Sequence, residues 1–185
     1  MRVVLLGAPG AGAATQAGLL SESLGLPAVG GDHVLRVHAA GTPLGARVRA
    51  ALAAGMEPTD VDCVALVRER LSHRDTRRGW LLHGFPRTPE QAQHLERWCT
   101  DCGQTLDLAI LLGVPHQEAL RRLPADGDRL RRRVVGFDDT VGPLLSWFQA
   151  RGLLAVVDGR GTPEQVTRRC LAELRRVAAA RRVPA

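Results

Sequence analysis

The first twenty residues, MRVVLLGAPGAGAATQAGLL (residues 1–20), predict a short apolar strand, a glycine-rich turn and the start of a helix. Residues 7–14 align with the frame G-x-x-x-x-G-K-[ST], whose backbone N–H groups cradle phosphates, with Ala14 at its Ser/Thr position and Thr15 one residue later. Glycines let successive N–H groups point at one anion, and the following helix adds the positive end of its dipole. This order predicts a phosphate-binding loop made of Gly7, Pro9, Gly10, Ala11, Gly12, Ala13, Ala14 and Thr15. A turn that merely connects a strand to a helix is the weaker interpretation.

The loop departs from this frame at the position that matters most for chemistry. Ala13 stands where the frame has a lysine, the side chain that bridges the outer phosphates of a nucleotide. All 25 basic residues of the chain are arginine, so no lysine elsewhere can take this place. Thr15 keeps the hydroxyl that would reach a magnesium ion bound with a nucleotide, and Ala14 adds a methyl group where close backbone approach favours glycine.

Length and composition favour a single domain of 185 residues (1–185), of which 45% are hydrophobic. The chain opens on MRVVLL rather than on a cationic-apolar leader and has no apolar run near ~18 residues, so we expect neither secretion nor a membrane partner. Four cysteines are too few for a disulfide scaffold and indicate reduced thiols in a cytoplasm. A net charge of +6 with only 3% aromatic residues favours anionic small molecules over nucleic acid as partners, and we expect a monomer.

Short apolar segments alternate with longer amphipathic ones along the chain. The apolar segments predict strands buried on both faces at 2–6, 80–83, 108–112 and 153–158. The amphipathic segments predict helices near 15–24, 32–40, 43–54, 60–72, 89–98, 115–123, 128–150 and 163–181. This alternation predicts an α/β fold, a P-loop-type parallel sheet with helices on both faces.

Three further motifs follow the loop in a fixed order, GTPLG (41–45), GWLLHGFPRTPEQA (79–92) and LLAVVDGRGTPEQV (153–166). With the loop, the chain resembles the adenylate kinase family of nucleoside monophosphate kinases over nearly its full length, and GFPRT followed by QA is the specific part of the match. The resemblance implies a helical lobe for the monophosphate at about 30–60 and a lid over the nucleotide triphosphate, here only about 123–128. It also implies reversible phosphoryl transfer from ATP to AMP, with Mg²⁺ as the cofactor.

Most of the residues that bind the phosphate acceptor in the family have a match in this chain. It implies that Arg36, Arg87 and Arg133 hold the acceptor phosphate. It also implies that Gln91 reads the adenine and that Arg122 is a further phosphate-binding arginine. The remaining implied acceptor contacts are Gly31, Met56, Glu57, Pro58, Gly84, Phe85 and Pro86. At Gly31 the family usually has a threonine that contacts the base, so the preferred base is open.

The donor side departs from the family at three places. Ala13 replaces the lysine, His83 replaces an aspartate that orders magnesium and its waters, and LPADGD (123–128) is too short to carry the lid arginines. His83 joins Arg87, Arg122 and Arg133 as a candidate catalytic residue, because nearby phosphates would favour its imidazolium form and so supply a cation. A neutral histidine bonded to a loop carbonyl is an equal alternative.

Two other groups of residues carry weaker predictions. Arg129, Arg131 and Arg132 follow the short lid and are able to grip phosphate oxygens, but a solvated basic face is the better interpretation for at least two of them. Cys99 and Cys102 form half of a tetrahedral zinc site without a second ligand pair, so we expect no zinc.

Two functions remain open from the sequence. The first is a divergent nucleoside monophosphate kinase with weak or altered phosphoryl transfer. The second is a non-catalytic protein that binds AMP or another phosphomonoester as a sensor or partner protein. The acceptor arginines fit both hypotheses, while the changes at Ala13 and His83 favour the second on chemical grounds.

Overall fold

The computed structural model describes residues 1–35, 42–56, 58–124 and 128–180, and within these ranges it contains a five-stranded parallel sheet. The strands are β1 (Arg2–Leu6), β2 (Ala28–Gly30), β3 (Trp80–His83), β4 (Leu108–Gly113) and β5 (Leu154–Asp158). Their spatial order is β2-β3-β1-β4-β5, so β1 lies at the centre of the sheet. The predicted α/β fold with a parallel sheet is confirmed.

Helices connect the strands and cover both faces of the sheet. They are α1 (Ala13–Leu24), α2 (Gly31–His33), α3 (Pro43–Ala53), α4 (Asp60–Leu71), α5 (Pro89–Asp101), α6 (His116–Arg121), α7 (Asp128–Val135), α8 (Phe137–Gln149) and α9 (Pro163–Ala180), with a short 3₁₀ turn at Arg74–Thr76. The hydroxyls of Thr42, Thr59 and Thr88 cap α3, α4 and α5 by accepting backbone N–H hydrogen bonds. None of the helices in the described ranges has the length and apolarity that crossing a bilayer requires.

The structure differs from the predicted elements in three places. One face of β5 is exposed at Val156 and Asp158, so the prediction that this strand is buried on both faces is wrong. The pattern does not predict β2, because only Val29 of its three residues is buried and no alternation can develop. α7 and α8 replace the single helix predicted over 128–150, because Gly136 has φ −90° and ψ 10° and interrupts the helical backbone. Of the helix predicted near 32–40, only α2 at its start is described, since residues 36–41 lie outside the described residues.

The sheet separates two apolar cores. Val4 and Leu6 of β1 pack into the core shared with α4, α5 and α8, whereas Val3 and Leu5 pack into the core shared with α1 and α9. Successive side chains of a strand point to opposite faces, so a central strand covered on both faces is a continuous apolar run. Burial on both faces therefore fixes the strand register.

That register brings the ends of three strands together beside the glycine-rich loop. His83 at the end of β3 pairs with Leu5 of β1 on one side and with Gly30 of β2 on the other. The loop begins directly after β1 and ends where α1 begins. The carboxyl ends of parallel strands are where such sheets bind ligands, and the predicted loop lies there.

Gly10 makes a close contact between the loop and α6. Its φ is +84°, and a Cβ at this position would lie 2.2 Å from the carbonyl oxygen of Ala119. Gly12 also has a positive φ, +94°, but a Cβ there would meet no atom within 4 Å. Glycine is therefore required at position 10 both by the positive φ and by the short distance to α6. At position 12 only the positive φ requires it.

All four cysteines, Cys63, Cys99, Cys102 and Cys170, are free thiols. Burial raises the pKa of Cys99 to about 12 and that of Cys170 to about 11. Both thiols therefore stay protonated at neutral pH, where a thiolate is needed for nucleophilic reactions.

We expect Gly10→Ala to destabilise the fold more than Gly12→Ala does. Each substitution places a Cβ in the left-handed conformation, which costs roughly 1–2 kcal/mol, but only at position 10 must the backbone of α6 also move. Urea unfolding should give the lower midpoint for Gly10→Ala, with unchanged slopes. Equal midpoints for the two variants would contradict the packing of the loop against Ala119.

Candidate functional site

A cleft of about 1310 Å³ lies at the carboxyl ends of β1 and β3. The loop, the segment after β3 and helices α6, α7 and α8 supply most of its walls. It is lined by all eight predicted loop residues and by Gly84 and Pro86. It is also lined by the four predicted catalytic side chains, His83, Arg87, Arg122 and Arg133. The structure thus brings the predicted phosphate loop and the predicted arginines into one cleft.

Among the residues that the structure describes, five implied acceptor residues do not line this cleft. They are Gly31, Met56, Pro58, Phe85 and Gln91. Met56 is exposed and Phe85 is buried, while Arg36 and Glu57 lie outside the described residues. The acceptor roles of all seven residues stay predictions.

The loop presents a helix terminus without a competing side chain. Gly12 is the N-cap of α1 and offers no side chain to the first backbone N–H groups, and the first turn has no acidic residue. N–H groups without an intrahelical partner and the helix dipole attract anions together. The anion-binding part of the loop is therefore intact even though Ala13 carries no charge.

Gln16 fixes the start of α1 against α9. Its side chain is 3% exposed. The amide nitrogen donates to the carbonyl of Pro163 at 3.0 Å, and the amide oxygen accepts from the hydroxyl of Thr167 at 2.7 Å. A buried amide with both ends bonded is favourable, whereas loss of one partner leaves a costly unsatisfied group. Gln16 therefore holds the helix that the loop leads into.

Arg87 is paired in the cleft with Asp32, a carboxylate that the sequence pattern does not single out. The guanidinium forms a short ion pair with Asp32, and Nε of Arg87 donates to the carbonyl of Gly84 at 3.2 Å. Asp32 reaches the cleft because it follows β2. The hydrophobic pattern of the sequence does not predict β2, and so it does not predict the position of Asp32. A phosphate bound by Arg87 would compete with this carboxylate.

Arg122 lies at the end of α6 and connects this helix to the segment after β5. Its Nε is 3.1 Å from Oε1 of Glu118, and its Nη1 donates to the carbonyl of Gly159 at 3.3 Å. Helix pairs of this spacing contribute only ~0.3–0.5 kcal/mol. The contacts therefore orient the guanidinium toward the cleft more than they stabilise the fold.

His83 is partly buried between the ends of β1 and β2. Burial lowers the pKa of His83, and the nearby carboxylate of Asp32 opposes that effect without cancelling it. The described residues offer its imidazole no hydrogen-bond partner. In the protein without a ligand, His83 is therefore mainly neutral at pH 7.

Gln91 is buried behind the cleft, where its amide connects three segments. The amide nitrogen donates to Asp60 at 2.6 Å, and the amide oxygen accepts from the backbone N–H of Arg87 at 2.7 Å. The hydroxyl of Thr88 donates to the other oxygen of Asp60 at 3.1 Å. Gln91 is 5% exposed, and both ends of its amide are committed to the protein.

Gly31 has no room for the threonine that the family usually has at this position. A Cβ on Gly31 would lie 2.6 Å from Cβ of Phe85 and 3.1 Å from the backbone of Gly84. Contacts under 3 Å between carbon atoms are repulsive, so a larger residue would require the segment after β3 to move. The glycine is therefore part of the local packing.

The described residues do not form a magnesium site of their own. Mg²⁺ prefers carboxylate and water oxygens in octahedral geometry. Asp32 is engaged by Arg87, and His83 stands where the resemblance implies an aspartate. In the described ranges, no group of three or more His, Cys, Asp or Glu side chains is arranged to hold a metal ion. Thr15 stays the predicted ligand for an ion that arrives with its nucleotide.

Comparison with known proteins identifies the family. The family model described as Adenylate kinase matches residues 5–153. The chain is 37% identical over 186 residues to an adenylate kinase of Thermobifida fusca, covering 95% of this chain and 98% of the relative. It is 37% identical over 183 residues to an adenylate kinase of Thermus thermophilus, covering 93% and 96%, and 34% identical over 185 residues to one of Xylella fastidiosa, covering 94% and 99%. The resemblance seen in the motifs is confirmed, and the chain belongs to the adenylate kinase family.

Proposed function

We propose that this chain is a phosphotransferase of the adenylate kinase type with strongly reduced turnover, acting between ATP and a nucleoside monophosphate or a similar phosphomonoester. The observation that carries this proposal is the cleft in which the intact phosphate loop and Arg87, Arg122 and Arg133 line the same space. Membership of the adenylate kinase family supports the reaction type. The proposal rests on this arrangement because fold alone does not determine function.

In this proposal the backbone N–H groups of residues 7–15 hold the donor phosphates. Arg87 and Arg133 hold the acceptor phosphate, together with Arg36 by resemblance. By resemblance, the shortened lid is the segment at about 123–128. Phosphoryl transfer depends on positioning and on neutralisation of charge, and two phosphate sites in one cleft would provide the positioning.

Neutralisation is the weaker part of this site. Ala13 contributes no charge, and His83 is mainly neutral without a ligand. Loss of one well-placed donor typically lowers the rate by ~10²–10³, and an arginine aimed at the transferring group is worth ~10³–10⁵. Such effects are not additive, but together they place turnover far below the ~1–100 s⁻¹ of ordinary kinases.

The second candidate is a non-catalytic binder of AMP or another phosphomonoester that acts as a sensor or partner protein. The uncharged Ala13 and the neutral His83 favour it, because neither change weakens phosphate binding by Arg87 and Arg133. Magnesium has no role in this alternative, whereas in the first it enters with ATP, with Thr15 as its protein ligand.

A coupled assay for ADP formation from magnesium-ATP and AMP tests the first function. We expect slow but measurable turnover, and we expect Ala13→Lys combined with His83→Asp to raise it by roughly 10² or more, because these changes restore a cation and a carboxylate on the donor side. Calorimetric titration with AMP, ADP and magnesium-ATP on the same samples separates binding from transfer.

Arg87→Gln is the control for this assay. A contaminating host kinase would give the same rate in the wild-type and Arg87→Gln samples, whereas intrinsic activity should fall sharply when an acceptor arginine is removed. AMP binding without detectable ADP formation, in both the wild type and the double variant, would reject the enzyme and support the non-catalytic binder.

We expect the acceptor site to discriminate poorly between bases. Gln91 has both ends of its amide bonded within the protein, and Gly31 offers no hydroxyl. Discrimination of ~10⁴-fold requires polar groups aimed at the base, so calorimetric dissociation constants for AMP, GMP, CMP and UMP should agree within about tenfold. Gln91→Ala should lower stability by ~1–3 kcal/mol without changing the order of these affinities. Preference for AMP above about a hundredfold, abolished by Gln91→Ala, would contradict this expectation.

We expect phosphate binding and protonation of His83 to support each other. Because burial holds the pKa of His83 below its ordinary ~6.5, the imidazole is neutral above that pH and contributes little there. As pH falls below about 6.5, protonation supplies a cation, so AMP should bind more tightly to the wild type than to His83→Gln. Calorimetry between about pH 5 and 8.5 measures the difference, and the variant corrects for ionisation of the phosphate itself. Parallel curves for the two proteins would show that His83 does not act as a cation.

A further inference from the structure

The donor phosphates need a positive side chain that the loop does not supply. The backbone amides of residues 7–15 provide partial charges only, and Ala13 provides none. Two of the arginines that line the cleft already hold carboxylates: Arg87 pairs with Asp32 and Arg122 with Glu118. A cation on another element would bind the phosphates of a nucleoside di- or triphosphate without first releasing a carboxylate.

α7 carries arginines on the side that faces the cleft. Leu130, Arg132 and Arg133 line the cleft, whereas Arg131 does not. Val134, the next residue of this helix, is fully buried. Consecutive helical residues are about 100° apart, which explains why Arg131 lies away from the cleft. The side chain of Arg129 lies outside the described residues.

Arg132 differs from the other cleft arginines in its contacts. It is exposed, and within the described part of the chain its guanidinium has no ion pair or hydrogen bond. A long side chain of this kind can reorient to meet a ligand without first breaking a pair. Its planar fork binds phosphate oxygens bidentately.

The helix that carries Arg132 packs against the helix that contacts the phosphate loop. α6 contacts the loop at Gly10 through the carbonyl of Ala119, and α7 packs against α6. In the sequence, residues 122–127 separate the two helices. Arg132 therefore lines the cleft from α7, and α7 packs against α6, the helix that contacts the loop.

We propose that Arg132 binds the donor phosphates of a nucleoside di- or triphosphate in place of the absent loop lysine. The inference rests on the proposed donor site but does not depend on turnover, because it concerns binding alone. It assigns Arg132 to the donor and leaves Arg133, its neighbour on α7, to the acceptor. The charge-assisted bidentate contact explains why an uncharged loop residue is tolerated.

Calorimetric titration with ADP and with inorganic triphosphate tests the proposal. Triphosphate has no base, so it reports on the phosphate site alone, and AMP reports on the acceptor side. Arg132→Gln should weaken triphosphate and ADP binding by roughly tenfold or more and change AMP binding less than about twofold. Arg131→Gln is the matched control on the same helix and should leave all three affinities unchanged. Arg132→Lys keeps the charge but loses the fork and should give an intermediate affinity.

A double-substitution cycle shows whether Arg132 and the loop position serve the same phosphates. Ala13→Lys restores a cation on the loop, so Arg132→Gln should cost less triphosphate affinity in that background than in the wild type. Three results would overturn the proposal. The effects of Ala13→Lys and Arg132→Gln on triphosphate affinity could be additive, or Arg131→Gln could weaken triphosphate binding as much as Arg132→Gln does. Arg132→Gln could also weaken AMP binding as much as it weakens triphosphate binding. Failure of the wild type to bind triphosphate would overturn the proposal as well. The ADP-forming assay decides the proposed phosphotransferase activity separately, whatever the outcome of these titrations.

Discussion

The cleft depends on the backbone conformation of the segment between β1 and α1. The chain leaves a buried strand and enters a helix within residues 7–12, which requires the left-handed conformations of Gly10 and Gly12. Gln16 secures the helix against α9, and the close approach of Gly10 to Ala119 secures the turn against α6. The proposed anion site is made of main-chain N–H groups that this geometry positions, so it does not require a lysine side chain.

The charges around the cleft follow a simple pairing. Two of the arginines there lie next to carboxylates, Arg87 with Asp32 and Arg122 with Glu118. In the absence of a ligand each carboxylate reduces repulsion between the arginines, and it yields when a phosphate dianion offers more charge and bidentate oxygens. The positive groups described here therefore come from segments around the cleft, while the loop itself is uncharged.

The sequence predicts the fold better than it predicts the site. Apolar runs fully buried on both faces, such as 2–6, are distinctive, and the glycine-rich loop specifies the turn that follows β1. β2 is not predictable from pattern, because three residues with one buried side chain have no period, and Asp32 is missed with it. The position of Gly136 as a break in a helix is not evident either, since a single glycine is tolerated inside many helices. The pairing of Gln91 with Asp60 joins residues far apart in sequence, so no local pattern reveals it.

On the proposed acceptor side, weak contacts to the base and a low rate of transfer would have a common cause. Enzymes use the binding energy of non-reacting parts of a substrate to orient the reacting part. Here Gln91 is committed to Asp60 and Arg87, and Phe85 fills the space that a side chain at Gly31 would need. The base would then contribute little to orientation, and recognition would rest on the phosphate. A phosphate held by arginines alone would keep rotational freedom about its ester bond. The packing of Gln91 and Gly31 would therefore broaden the choice of acceptor and also lower the fraction of enzyme–acceptor complexes that are aligned for transfer.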